Sequence, residues 1–271
     1  MDIQEIARRG LVLLGCGKMG SAMLEGWLAQ GLPAGSVWVI DPQPSAWVKG
    51  IGGLRINEAL PEDPALVLVA VKPQMMDTAL PQIARYGGGK TLIVSVAAGT
   101  PIRRFEEGLG PGTPVIRAMP NTPAAIGRGI TAIVGNDLAG EAEIRTAETL
   151  LSAVGQTVRL DAESEMDAVT AVAGSGPAYV FHLIETLAAA GAAEGLPEEL
   201  ALRLAKATVA GAGALAEAAD EDPAQLRKNV TSPQGTTAAA LEVLMDGQTG
   251  FSPLLKKAVR AAADRSRDLA G

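Results

Sequence analysis

The stretch that most constrains the fold is Leu11-Val12-Leu13-Leu14-Gly15-Cys16-Gly17-Lys18-Met19-Gly20. An apolar run of strand length ends in Gly-x-Gly-x-x-Gly, and Ser21 to Leu28 then reads as a helix. Gly15 permits a tight strand-to-helix turn, and Gly17 leaves no Cβ between the backbone and an incoming pyrophosphate. Gly20 lets the helix pack close to the strand, so that its N-terminal N–H groups can face phosphates. A glycine turn without a ligand is the plainer alternative. The strand, the helix and the position near the N-terminus favour a dinucleotide site.

The rest of the composition narrows the class. At 271 residues the chain can bury a real core, as one large domain or two modest ones. Apolar residues make up 48% and aromatics only 3%, which suits closely packed helices better than an aromatic-rich β-sandwich. The net charge of -7, with no basic cluster, argues against a nucleic-acid partner. One cysteine rules out an intramolecular disulfide or a multi-cysteine metal site and fits a reducing compartment. That residue, Cys16, sits inside the glycine loop and reads as a small apolar filler rather than a nucleophile. With no stretch of transmembrane length and no signal-peptide pattern, the expected location is cytoplasmic, with no membrane partner.

Further strands follow in order. Val37 to Ile40 ends at Asp41, where a side chain would sit beside an adenosine ribose. A carboxylate there accepts from both ribose hydroxyls and repels a 2′-phosphate, which argues for NADH over NADPH. Asp41-Pro42 also reads as a simple turn. Leu66 to Ala70 is a continuous apolar strand running into Val71-Lys72-Pro73-Gln74. Ligands in open parallel sheets sit beyond the carboxyl ends of strands, so Lys72 could face a phosphate or simply be solvated. Thr91 to Val96 and Pro114 to Ala118 are two more strands, the latter entering Met119-Pro120-Asn121-Thr122-Pro123, a stiff loop able to fix a polar side chain. Ile130 to Val134, a helix from Glu141 to Ser152, and Gln156 to Arg159 complete a doubly wound α/β domain over residues 1–160.

From Asp161 the strand signals stop, and residues 161–271 read as all-α. Ser164 to Ala193 forms one long helix, which Pro177 in Gly174-Ser175-Gly176-Pro177 should kink, freeing backbone groups there. Ser175 then either meets a ligand or allows close helix packing. Helices over Pro197 to Ala219, Asp222 to Asn229, Gly235 to Met245 and Ser252 to Leu269 follow. In Val230-Thr231-Ser232-Pro233-Gln234-Gly235-Thr236-Thr237, hydroxyls and a glycine crowd a helix start with no charged side chain. Free N–H groups at Gly235, Thr236 and Thr237 could bind a carboxylate without an arginine. Helix capping by Ser or Thr is the alternative.

Taken together, Gly15-Cys16-Gly17-Lys18-Met19, Ala70-Val71-Lys72-Pro73-Gln74, Met119-Pro120-Asn121-Thr122-Pro123, Ala173-Gly174-Ser175-Gly176-Pro177-Ala178-Tyr179 and Val230 to Thr237 resemble the pyrroline-5-carboxylate reductase family over essentially the whole chain. The resemblance implies a Rossmann dinucleotide-binding domain followed by a helical substrate-binding and dimerisation domain. It implies hydride transfer from NADPH or NADH to a cyclic imine carrying a carboxylate, giving L-proline, with no metal. Carried over residue by residue, Gly235 and Thr236 would hold the carboxylate, with Ser232 beside them. Thr237 would hydrogen-bond the ring nitrogen, and Ser175 would border the pocket, the last two as the catalytic pair. Gly15, Gly17, Lys18, Met19, Gly20, Asp41, Val71, Lys72, Pro73 and Asn121 would bind or position the cofactor. The family's helical domains interlock, so a homodimer is the minimum and a decamer a common assembly. Two residues depart from the family: Gln234 stands where a glycine is usual, and Asp41 where many members carry a polar or basic residue. His182, the single histidine, reads as a packed or interface residue rather than a proton donor. Hydroxyacid dehydrogenases of the 6-phosphogluconate type share the domain order. They need a lysine on the first long helix, and none lies between Ser164 and Leu204.

Overall fold

All four residues of strand β1 (Leu11–Leu14) are buried, although alternate side chains of a strand point to opposite faces. A strand apolar on both faces needs a layer on each side, and the computed structural model, which describes residues 3–270, supplies both. The sheet has eight strands in the order β3-β2-β1-β4-β5-β6-β7-β8. After β1 these are β2 (Val37–Ile40), β3 (Arg55–Ile56), β4 (Leu66–Val69), β5 (Leu92–Ser95), β6 (Val115–Met119), β7 (Gly129–Gly135) and β8 (Gly155–Arg159). In register, Leu11 lies beside Val37 on one flank and beside Leu66 on the other. Every pairing is parallel except that of β6 with β7. The short connection through Pro120 and a 3₁₀ turn (Thr122–Ile126) is what brings β7 back antiparallel.

The helices are α1 (Ile3–Arg9), α2 (Lys18–Ala29), α3 (Ala46–Gly50), α4 (Met76–Ile83), α5 (Ile102–Leu109), α6 (Glu141–Leu151), α7 (Met166–Val169), α8 (Gly176–Ala193), α9 (Glu198–Ala218), α10 (Pro223–Asn229), α11 (Thr236–Leu244) and α12 (Phe251–Ala270). One core places Leu11 and Leu13 with Met23, Leu24 and Trp27 of α2 and Leu150 of α6. Trp27 also donates its indole N–H to the Leu150 carbonyl at 2.8 Å, so the buried polar atom is satisfied. The other core packs Val12, Leu14 and Val67 against Leu80 and Ile83 of α4 and Phe105 of α5.

The chain divides into two compact units, Met1–Gly174 with Ala263–Gly271, and Ser175–Ala262. Strands end after residue 159 as the sequence suggests, yet residues 161–174 stay with the sheet rather than opening the helical unit. Met166 is fully buried in the second core. Glu163 accepts at one carboxylate oxygen from the Ile102 amide (2.9 Å), at the start of α5, and from the buried Arg117 guanidinium of β6 (2.8 Å). The end of α12 also belongs here, Ser266 donating to Asp167 at 2.6 Å. The expected long helix over 164–193 is therefore composite: a 3₁₀ turn (Glu163–Glu165), α7, a π-helical stretch (Thr170–Gly174), then α8.

In the helical unit, α8 and α11 bury no residue within the single chain, and α9 buries only Ala201 and Ala205. Phe181 is 58% exposed and Val243 71%. So much apolar surface on the helices of one unit marks an association face. Among the described residues, no helix is long and apolar enough to cross a membrane.

Candidate active site

The order of strands reverses between β1 and β4, which opens a crevice at their carboxyl ends. Gly15 and Val71 flank it. Gly15 has φ +89°, and a Cβ there would lie 2.8 Å from Val71 Cγ1 and 2.9 Å from the Ala70 carbonyl oxygen. The position therefore requires glycine twice over, by conformation and by space. At Gly20 a Cβ would overlap the Gly15 carbonyl oxygen, so helix and loop touch backbone to backbone. Gly17 differs: its φ of −71° suits any residue, and a Cβ would meet nothing within 4 Å. Nothing inside the protein requires glycine there. Gly17 is also the N-cap of α2 and supplies no side-chain cap, so the amides of Lys18, Met19 and Gly20 open the helix unpartnered by any cap. An open backbone surface ahead of a helix N-terminus fits a pyrophosphate.

At the end of β2, Asp41 is more tightly held than its place in the sequence suggests. One carboxylate oxygen accepts from the Cys16 amide (2.7 Å), inside the glycine loop, and the other from the Gln43 amide (2.7 Å). Asn57, in left-handed conformation with φ +53°, clasps the Asp41 backbone from the far side. Its Oδ1 accepts from the Asp41 amide (3.0 Å), and its Nδ2 donates to the Asp41 carbonyl (2.8 Å). Asn57 and Gln43 escaped the sequence reading because neither belongs to a motif. A carboxylate accepts at about four lone-pair sites, so two amides leave capacity for ribose hydroxyls. Among the described residues no ion pair forms at this carboxylate; Arg55 instead stacks on Trp38 at 4.6 Å and donates to the Gly35 carbonyl. Cys16 is buried, with Sγ 3.6 Å from Ser21 Oγ, and burial pushes its thiol pKa up, away from the reactive thiolate.

Lys72 and Pro73 are exposed at the carboxyl end of β4, where Lys72 caps a 3₁₀ turn (Pro73–Met75). Asn121 stands just past β6. Its side chain is spoken for at both ends, Oδ1 accepting from the Ile130 amide (3.0 Å) and Nδ2 donating to the Ala173 carbonyl (3.2 Å). All the residues expected to handle the cofactor thus share the carboxyl-end side of one sheet.

The remaining candidates lie in the helical unit. Ser175 is the N-cap residue of α8. Ser232 to Gly235 form a tight turn with Pro233 and Gln234 at its centre, Gln234 in left-handed conformation with φ +58°. Glycine is the usual residue there in the resembled family, and a left-handed position explains why. One expectation needs correcting. The Gly235 amide is not free, because it closes this turn on the Ser232 carbonyl at 3.1 Å. The open amides at the start of α11 are those of Thr236, Thr237 and Ala238, with Gly235 as N-cap and no side-chain cap. A Cβ at Gly235 would meet Ser232 Oγ, which can rotate aside, and would lie a tight 3.1 Å from the Ser232 carbonyl oxygen. Thr231 is turned inward, its hydroxyl donating to the Arg227 carbonyl at 2.6 Å. His182 is exposed in the single chain, its Nδ1 3.1 Å from Glu185. Among the described residues, no group of three or more His, Cys, Asp or Glu side chains could hold a metal ion.

Residues 163–269 match the family described as pyrroline-5-carboxylate reductase dimerisation. Residues 10–99 match one described as NADP oxidoreductase, coenzyme F420-dependent. A pyrroline-5-carboxylate reductase of Pseudomonas aeruginosa is 40% identical over 265 residues, covering 96% of each chain. The chain belongs to the pyrroline-5-carboxylate reductase family. The pea (Pisum sativum) reductase is 37% identical, with 96% of this chain and 95% of the relative covered. Among solved structures, the reductase of Coxiella burnetii superposes with TM-score 0.90 at 30% identity, covering 97% of this chain and 99% of the other. That of Plasmodium falciparum, solved with NADP bound, gives 0.84 at 28%, covering 98% and 99%. The likeness takes in both units and all five motifs, and it marks the helical unit as an oligomerisation surface.

Proposed function

We propose that the chain reduces the cyclic imine of 1-pyrroline-5-carboxylate to L-proline, with the roles of its residues divided between the two units. The observation that carries the activity is the likeness to a reductase through 96% of both chains. The chain is an oxidoreductase acting on a C=N bond, and its cofactor is a nicotinamide dinucleotide.

Bound in reduced form, the nicotinamide supplies the hydride. Gly17 leaves room for the pyrophosphate, and the amides of Lys18, Met19 and Gly20 bind it as the N-terminus of α2. Gly15 shapes the turn; Val71, Lys72, Pro73 and the loop through Asn121 border the cofactor. Asp41 takes the adenosine ribose, and its carboxylate, held by two backbone amides, sets a preference for NADH. In the helical unit, the amides of Thr236, Thr237 and Ala238 hold the imine carboxylate, with Ser232 and Gly235 shaping the turn before them. The Thr237 hydroxyl accepts the N–H of the protonated ring nitrogen, and Ser175 closes the substrate side. A protonated imine is already electrophilic, so orientation and stabilisation of charge suffice without a dedicated general base. The proposed working form is a homodimer at minimum, assembling to a decamer, in the cytoplasm.

The test is a pair of steady-state assays with pyrroline-5-carboxylate, following NADH and NADPH oxidation separately. Turnover with NADH the better donor is expected. Absence of turnover with either sinks the assignment, and a clear NADPH preference sinks the reading of Asp41 alone.

A further inference from the structure

The Ala173 carbonyl is in an unusual position. Four residues on stands Pro177, which has no N–H, so the ordinary helical donor to this carbonyl does not exist. The chain around it is already irregular, a π-helical stretch over Thr170–Gly174 leading into α8 with its proline in the first turn. The next amide along, that of Ala178, goes to the Ser175 carbonyl at 3.0 Å instead. Asn121, 52 residues earlier, reaches in with Nδ2 at 3.2 Å and supplies the missing donor. Its orientation is fixed from the other side, where the Ile130 amide donates to Oδ1 at 3.0 Å. Which end of the amide is oxygen is thereby determined, since a flipped side chain would set N–H against N–H and oxygen against oxygen. Met119, two residues before Asn121, packs on the same stretch: a Cβ at Gly174 would lie 2.5 Å from its Cε.

We propose that Asn121 is a positioning residue for the reductase reaction: it holds the carbonyl that Pro177 leaves without a helical donor, and so fixes the turn that presents Ser175. Its side chain acts through Ala173 rather than on the cofactor. The inference rests on the reading of Ser175 as a pocket residue. A part-buried acceptor that loses its donor carries a cost, and a turn held by one side chain moves when that side chain is lost. Small displacements of a reacting group cost large factors in turnover.

The test is a double-mutant cycle on the full-length enzyme with Asn121→Ala and Pro177→Ala. Asn121→Ala is expected to lower kcat by about tenfold or more while the NADH Kd, read by titration without imine, stays within about twofold. Pro177→Ala restores an N–H aimed at Ala173, so adding Asn121→Ala to it costs much less than adding it to wild type. Should Asn121→Ala fail to fold, Asn121→Asp retains the acceptor for Ile130, replaces the donor by a carboxylate oxygen that repels the Ala173 carbonyl, and must show the same split. The proposal is overturned if cofactor affinity falls in step with turnover, or if the loss is equal in both backgrounds. Ser175→Ala serves as the separate arm. Full activity there, alongside a kcat loss that Pro177→Ala relieves, removes Ser175 from the pocket and leaves Asn121 positioning the turn for another group.

Discussion

The second and third glycines of the motif, Gly17 and Gly20, make a matched pair, because the same substitution should fail for opposite reasons. At Gly17 an alanine Cβ meets no protein atom within 4 Å, and the backbone there is ordinary. The loss of a preferred N-cap and the gain from a stiffer unfolded chain are each about 0.5–1 kcal/mol and oppose one another. The melting temperature of Gly17→Ala should therefore stay within about 2 °C of wild type. In the proposed cofactor site the methyl group instead occupies pyrophosphate space, and the expected loss of NADH affinity is about a hundredfold, or roughly 2.7 kcal/mol. At Gly20 the added Cβ overlaps the Gly15 carbonyl oxygen, which is backbone and cannot swing aside. Overpacking of this kind costs about 1–3 kcal/mol, or a fall in melting temperature of about 2–10 °C. The assays are thermal melting without ligand and NADH binding by fluorescence titration. A Gly17→Ala protein that melts as low as Gly20→Ala, or binds NADH within about threefold of wild type, refutes the cradle.

Removing the charge at Asp41 with Asn, which can still accept from the Cys16 amide, should raise the NADPH-to-NADH ratio of kcat/KM at least about tenfold; an unchanged ratio clears Asp41 of any role in the choice. Gln234→Gly relieves a left-handed backbone worth about 1 kcal/mol and returns part of it as unfolded-chain entropy, so melting should hold or rise slightly with turnover retained. A tenfold loss of activity would show that the glutamine side chain itself is needed. Arg117→Ala strands Glu163 at the start of α5 and should cost about 3 kcal/mol in denaturant unfolding, whereas a change under about 1 kcal/mol would make the pair ornamental. Arg159 lies between Glu141 and Glu148 and lowers the pKa of both below 4.5. Depressed carboxylates stabilise the fold above their unfolded pKa, so any melting deficit of Arg159→Gln should be present at neutral pH and close as the pH falls below about 4.5. A deficit that persists unchanged into acid contradicts the pairing.

The parts of the molecule that were readable in the sequence are those set by local rules. Apolar strands, the glycine turn and the capping prolines carry their own signals within ten residues, and each strand from Val37 to Arg159 that they implied is present. The two-residue β3 is too short for any period, and the antiparallel turn into β7 depends on packing rather than on a run of residues. The site was readable in the same way and to the same depth. Glycine positions follow from steric demands that one residue states alone. The Asp41 grip on Cys16 and the Asn121 reach to Ala173 are bonds across 25 and 52 residues, and polar side chains announce such partners only after folding. The Gly235 amide shows the limit from the other side: a proline two residues before it already implied a tight turn, and the turn consumes that N–H.

A helical unit in which α8 and α11 bury nothing of their own has a bearing on how the protein survives in dilute solution. Beyond Ala201 and Ala205, its helices leave their apolar burial to association, so folding of this half and assembly become coupled equilibria that depend on chain concentration. Melting temperature should then climb with protein concentration. Activity should decay on dilution at a rate set by subunit separation, and a chain carrying a damaged helical face should drag down intact partners synthesised alongside it.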